Sequence, residues 1–131
     1  MLRGEAGFEV LTPLRILLAE DERTISRLIR QVLTSVGHTV VGVQSAAEAI
    51  DLLRSSQFDL VLLDLNLADG DGFRVVDALT RDAAAARPPV LVMTGERSFA
   101  DDDPRLATVA GVLWKPFALD DLEAAVGRFS A

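Results

Sequence analysis

The 131-residue chain contains no cysteine. Disulfides and thiolate metal sites are thereby excluded, and the composition fits a reducing compartment. It also lacks any apolar run near the roughly 18 residues that a membrane span requires. The stretch after Met1, Leu-Arg-Gly-Glu-Ala-Gly, has no apolar segment of the kind a signal peptide carries, so a cytoplasmic protein is expected. Positive charge is scarce: thirteen Lys and Arg face twenty Asp and Glu, for a net charge of −7. A nucleic-acid groove or an anionic membrane surface would have to overcome that field, so neither is expected as a partner. Lysine is scarcer still, for Lys115 is the one lysine in an otherwise arginine-only basic set.

Apolar residues, by contrast, are plentiful. Hydrophobic residues make up 50% and charged residues 25%, with a mean hydropathy of +0.29, which rules out disorder over most of the length. The size suits one domain with one core. Residues 1–13 join no repeating unit and are expected to be a flexible or loosely docked extension, leaving 14–131 as the domain.

Periodicity supplies the elements. Arg15-Ile16-Leu17-Leu18-Ala19-Glu20 is a short apolar run ending in acid, the mark of a buried strand. Ile25, Leu28, Ile29, Val32, Leu33 and Val36 then trace one face of a helix that Gly37 stops. Thr39-Val40-Val41-Gly42-Val43 is a β-branched strand, and Ser45 with Glu48 forms a capping-box pattern opening a second helix. The run from Phe58 to Asp64 is a third strand, followed by the turn-rich Asp69-Gly70-Asp71-Gly72 and a helix carrying Phe73, Val76 and Leu79. The Ala83 to Ala86 run reads as a helix end. Pro88-Pro89 precedes a fourth strand, Val90 to Thr94, and a long polar loop follows from Gly95. Asp103-Pro104 predicts a short helix to Ala110, with Asp101-Asp102-Asp103 as its solvated start. Gly111 to Trp114 is a fifth strand, and Leu119, Leu122, Val126 and Phe129 mark a closing helix. Strict βα alternation with apolar strands predicts a doubly wound α/β domain around a five-stranded parallel sheet, whose ligands sit beyond the carboxyl ends of the strands.

Those ends are polar at four places: Glu20-Asp21, Asp64, Thr94 and Lys115. Neighbouring strands lie about 4.8 Å apart, so these side chains can converge. Three carboxylates and one ammonium repel in sum unless a cation joins them, and Mg²⁺, with its preference for hard oxygen ligands and retained waters, is the natural one. His38 lies in the turn into the second strand and reads as structural.

The chain here resembles the receiver domains of two-component response regulators, closest in motif to the stand-alone chemotaxis type, over roughly Leu14 to Phe129. The marks are Leu17-Leu18-Ala19-Glu20-Asp21-Glu22, Asp64-Leu65-Asn66-Leu67 with Asp69-Gly70-Asp71-Gly72, Met93-Thr94-Gly95 and Trp114-Lys115-Pro116-Phe117. The resemblance implies a flavodoxin-like (βα)5 fold with strand order 2-1-3-4-5. It implies Asp64 as phospho-acceptor from the phosphohistidine of a sensor histidine kinase or histidine phosphotransfer protein. Mg²⁺, or Mn²⁺, would be held by Asp21, Asp64 and the backbone carbonyl of Asn66, with Glu20 directly or through water. Lys115 would bond a phosphoryl oxygen, Thr94 would donate its hydroxyl to the attached group, and Lys115-Pro116 resembles the family's cis peptide. Such a protein is a signalling switch rather than an enzyme, although it catalyses its own phosphoryl transfer and dephosphorylation.

Some positions depart from the family pattern. Val112 stands where an aromatic switch residue is usual, so coupling to Thr94 is expected to be muted, and Trp114, of the same strand parity, is expected to take over part of that surface role. Ala68 replaces a common proline. Asn66 and Glu96, each two residues after Asp64 and Thr94, border the path of the hydrolytic water and imply a short-lived phosphoryl mark. Three other readings compete. A haloacid-dehalogenase-type phosphohydrolase needs a second Asp where Asn66 stands; a flavodoxin-like cofactor carrier needs a glycine- or serine-rich phosphate loop that is absent after the first strand; a pseudo-receiver would bind a partner without phosphorylation. Nothing basic or helix-turn-helix-like follows Phe129, so a receiver acting by protein contact or phosphoryl relay is expected.

Overall fold

The computed structural model describes residues 2–3, 9–10, 12–81, 87–95 and 104–130. Its centre is one parallel sheet of β1 (Arg15–Ala19), β2 (Thr39–Val43), β3 (Leu60–Asp64), β4 (Val90–Thr94) and β5 (Gly111–Trp114), in the order β2-β1-β3-β4-β5. That is the expected 2-1-3-4-5. Register pairs Ala19 with Leu63, Asp64 with Met93 and Thr94 with Trp114, which lines the strand ends up along one edge.

The helices are α1 (Arg23–Ser35), α2 (Ala46–Ser55), α3 (Phe73–Arg81) and α4 (Leu119–Gly127). Because side chains alternate along a strand, each strand feeds two cores. Ile16, Leu18, Leu60, Leu62, Leu91 and Met93 pack with Ile29 and Leu33 of α1 and with Leu122 and Val126 of α4. Leu17, Ala19, Val61, Leu63 and Val92 pack with Ala46 and Ala49 of α2 and with Val75 and Val76 of α3. A sheet covered on both faces explains why these strands read as unbroken apolar runs.

Local chemistry sets the helix ends. Gly37 stops α1 at φ 108°, its N–H donating to Thr34 O at 3.0 Å while His38 N–H donates to Leu33 O at 3.1 Å, a Schellman ending. The buried His38 accepts the Leu14 N–H on Nδ1 at 3.0 Å. Burial holds its imidazole below the ordinary range, in the neutral form that such an acceptor needs. Ser45 caps α2 by accepting the Glu48 N–H at 3.1 Å, as the capping pattern predicts.

Several boundaries differ from the sequence expectation. The third strand starts at Leu60 rather than Phe58, because Asp59 ties itself to β1 twice. Its N–H donates to Arg15 O at 2.7 Å and its carboxylate accepts the Arg15 N–H at 2.8 Å. The short helix expected up to Ala110 is a 3₁₀ turn at Pro104–Thr108 with no fully buried residue, too short and too exposed to gain an α-helical ladder. Leu119 is 38% exposed instead of lying in the core stripe, and Phe129 lies beyond the end of α4. Before Leu14, Leu2–Arg3 pairs antiparallel with Glu9–Val10. Thr12 is clasped by the Ser130 hydroxyl, which donates to Thr12 O at 2.6 Å and accepts its N–H at 3.4 Å. The Ala83 to Ala86 run, Glu96 and Asp101 to Asp103 lie outside the described residues.

Candidate functional site

The edge formed by the carboxyl ends of β1, β3 and β5 gathers the charged residues. Glu20, Asp21 and Asp64 each place a carboxylate oxygen within 4.8 Å of the others. At that spacing and an effective dielectric near 20, the buried pair Glu20 and Asp64 would repel by about 3 kcal/mol when both are charged, and the exposed Asp21 adds less because water screens it. Lys115 answers this directly. Its Nζ donates to Glu20 Oε1 at 2.7 Å and to Asp64 Oδ2 at 2.9 Å, spanning two strands with one ammonium.

Each side chain is held by its element. Glu20 is 1% exposed, takes its main-chain place by donating N–H to Val43 O at 3.0 Å, and accepts the Glu22 N–H on Oε2 at 3.3 Å, just ahead of α1. Asp64 is buried as the last residue of β3, and its second oxygen accepts the Asn66 N–H at 2.9 Å. Both of its oxygens are thus engaged and its rotamer is fixed. Asp21 is exposed at the rim. Thr94 is fully buried at the end of β4, and its carbonyl accepts the Lys115 N–H at 2.8 Å. The Lys115–Pro116 peptide is cis.

Electrostatics follow the burial. The Glu20 carboxyl is raised from 4.5 to about 7, first by burial and then by the hydrogen bond and charge of Asp64, against the pull of Lys115. Burial alone would lower the Lys115 ammonium, but its bonds to Glu20 and Asp64, with their charges, outweigh this and raise it. A buried carboxyl that keeps a proton near neutral pH, beside two further carboxylates, marks a place where positive charge is short. Three hard oxygen donors around such a spot fit a divalent cation of the Mg²⁺ type.

The structure therefore brings Glu20, Asp21, Asp64 and Lys115 together and sets Thr94 on the adjoining strand. Asn66 is exposed and touches the cluster through its N–H. Val112 packs on the α2–α3 side of the sheet, and Trp114 sits half-buried opposite Thr94 in register.

The turn chemistry expected of Asp69 to Gly72 holds, with the chain reversing at Ala68 and Asp69 and with Gly70 at φ 119°, and the stretch also reaches beyond the turn. Asp69 accepts the Ala46 and Ala47 N–H groups at 2.8 and 3.1 Å, so the loop after Asp64 caps α2 from outside it. Those two bonds hold its carboxyl below the usual range. Asp71 accepts the Phe73 N–H at 2.8 Å and so opens α3. Gly72 lies so close to the chain after β3 that a Cβ would stand 2.5 Å from Asp64 O. Glycine in that position is the single trace of this contact that the sequence offers.

The residues at this edge can be compared with known proteins. The model of the response regulator receiver domain matches residues 16–127. The transcriptional regulatory protein TcrA of Mycobacterium tuberculosis is 36% identical over 120 residues, covering 88% of this chain and 46% of TcrA. The chain spans about half the length of the curated relatives it matches. Among solved structures, the Mn²⁺-bound form of response regulator Rcp1 is 30% identical with a TM-score of 0.71, covering 88% of this chain and 91% of Rcp1. The phosphorylated cyanobacterial phytochrome response regulator RcpA is 31% identical with a TM-score of 0.71, covering 89% of this chain and 91% of its own. The family match takes in the sheet and every strand end that carries the cluster, and the chain belongs to the response regulator receiver domains.

Proposed function

We propose that this receiver accepts a phosphoryl group on Asp64 from the phosphohistidine of a sensor histidine kinase or histidine phosphotransfer protein, and that the new charge alters its contacts with other proteins. The observation that carries this reading is the Lys115 ammonium seated between Glu20 and Asp64 at 2.7 and 2.9 Å, with the Asp21 carboxylate beside them.

Glu20, Asp21 and Asp64 would hold Mg²⁺, or Mn²⁺ in its place, with the backbone carbonyl of Asn66 as a further ligand. When bound, the ion supplies positive charge to the phosphoryl oxygens and relieves carboxylate repulsion. An oxygen of Asp64 attacks phosphorus, a P–O bond forms, and the P–N bonding pair returns to the donor imidazole. The Asn66 N–H and Lys115 hold Asp64 in one rotamer for that attack. Lys115 then bonds a phosphoryl oxygen, and the Thr94 hydroxyl donates to another. Such transfer needs position and charge more than an acid or base, which is what this chain provides.

Thr94 and Trp114 are register partners on β4 and β5, so a shift of Thr94 toward the phosphoryl group would reach the β5 surface at Val112 and Trp114. Asn66 and Glu96 set the lifetime of the mark. Leu28 and Leu119, 46% and 38% exposed, line one apolar groove with Ile25, Ile29, Pro116 and Phe117 that reaches Lys115. This supports docking of the donor beside the site. Residues 14–131 form the receiver unit. No helix among the described residues is long and apolar enough to cross a membrane, and a cytoplasmic location suits the donor.

The test is incubation with acetyl phosphate and Mg²⁺ followed by intact mass, with wild type beside Asp64→Asn. A labile gain of one phosphoryl group by wild type alone is expected, with a change in Trp114 fluorescence. No gain at saturating donor would replace this reading with that of a pseudo-receiver.

A further inference from the structure

Helix α1 carries Arg23, Arg27 and Arg30 and not one acidic residue between Arg23 and Ser35, in a chain of net charge −7. The spacing i, i+4, i+7 puts the three on one stripe, which flanks the buried Ile29 and Leu33. All three are exposed, and none forms an ion pair among the described residues. Elsewhere the same chain does pair its arginines, Arg74 with Asp69 and Arg105 with Asp71. Arg30 is also placed, since its stem crosses Gly42 of the edge strand β2, with Cδ 3.5 Å from where a Cβ on Gly42 would stand. Arg27 and Arg30 line a shallow groove with Gln31, Thr34, Ser35 and Val40.

We propose that this ridge docks an acidic peptide segment of a partner protein, one carrying two or three carboxylates about 6 Å apart, the rise between helical residues i and i+4. Guanidinium forks pair carboxylates with two parallel hydrogen bonds, and Gln31 and Thr34 add neutral donors and acceptors to the same groove. The chemistry favours a peptide over a nucleic acid. The ridge is only about 10 Å long by helical rise. It offers three cations, while the overall negative charge opposes any long polyanion. The ridge stands apart from the phosphoryl chemistry, so its test is independent of that reading.

The experiment titrates the whole unphosphorylated chain, without Mg²⁺, into a labelled helical peptide with glutamates at i and i+4, followed by fluorescence anisotropy. Binding is expected to weaken about tenfold in Arg27→Ala/Arg30→Ala and to fall about fivefold or more between 20 and 200 mM salt, as exposed pairs are screened. Arg27→Lys/Arg30→Lys keeps the charge and is expected to recover part of the affinity. Arg54→Ala/Arg81→Ala, the same charge change on exposed arginines of α2 and α3, is expected to leave binding within about twofold, because screening confines these interactions to a Debye length. Urea unfolding confirms that each variant is folded. The proposal is overturned if the peptide does not bind wild type, if the control pair loses as much as the ridge pair, or if single-stranded DNA of equal charge binds as tightly.

Discussion

At Gly72 the backbone comes nearer to the end of β3 than any other side chain would allow. A Cβ there would stand 2.5 Å from Asp64 O and 2.8 Å from Leu65 Cα, both main-chain atoms that cannot step aside. Gly72→Ala is expected to cost at least about 2 kcal/mol, in the upper part of the range for overpacking, and to displace Asp64 from its cluster. Gly127→Ala makes the contrast, for a Cβ there meets nothing within 4 Å, and on α4 it is expected to stabilise by about 0.5 kcal/mol or more. Urea unfolding of the two variants checks both signs. Beyond the glycine itself, nothing in the string Asp69-Gly70-Asp71-Gly72 announces these contacts. Turn-forming residues look alike in sequence whether they merely reverse the chain or reach across it to Ala46, Ala47 and Asp64.

Element by element, the caps carry information that the apolar stripes do not. The first turn of α3 contains no acidic residue, and its Phe73 N–H is satisfied at 2.8 Å by Asp71 of the two-stranded ribbon in which Asn66–Leu67 pairs antiparallel with Gly70–Asp71. The same carboxylate meets Arg105 at 3.5 Å, and the Arg105 guanidinium lies 3.9 Å from the centre of the Phe73 ring. The cap and the ion pair can be separated by substitution. Asp71→Ala is expected to cost about 1 kcal/mol because the cap is lost. Asp71→Asn keeps a capping oxygen and loses the exposed ion pair, a few tenths of a kcal/mol by comparison. Equal losses in chemical denaturation would assign the effect to the ion pair instead. The stripe of α1 is readable because its burial follows the helical period, and the strands because covering both faces of the sheet makes them short unbroken apolar runs. The 3₁₀ turn at Pro104–Thr108 was not, because a proline and an acidic start announce a helix without setting its length or its hydrogen-bond pattern.

For the whole molecule, the charge cluster ties folding to pH. Glu20 titrates near 4.5 when unperturbed and is pushed up to about 7 in the folded chain, chiefly by burial. Between those values the folded state binds the proton more tightly than the unfolded state does. The stabilisation is therefore complete below pH 4.5 and lost as the pH rises through about 7. In metal-free buffer, Glu20→Gln is expected to exceed wild type in stability at pH 8 by on the order of 2 kcal/mol, with the gap closing toward pH 4.5. Urea unfolding in EDTA at both ends of that range checks it, and a constant gap would mean that Glu20 does not titrate there. The sequence alone determined that five apolar strands alternate with helices and that carboxylates, a threonine and the single lysine stand at their ends, since burial and period are local properties. Only the tertiary structure decided that Lys115 meets Glu20 and Asp64 and that Asp69 caps a distant helix. It also decided that Gly72 rests on Asp64 and that the arginines of α1 stand exposed with no ion pair among the described residues, because each of these is a contact or absence of contact between residues whose separation in sequence carries no period.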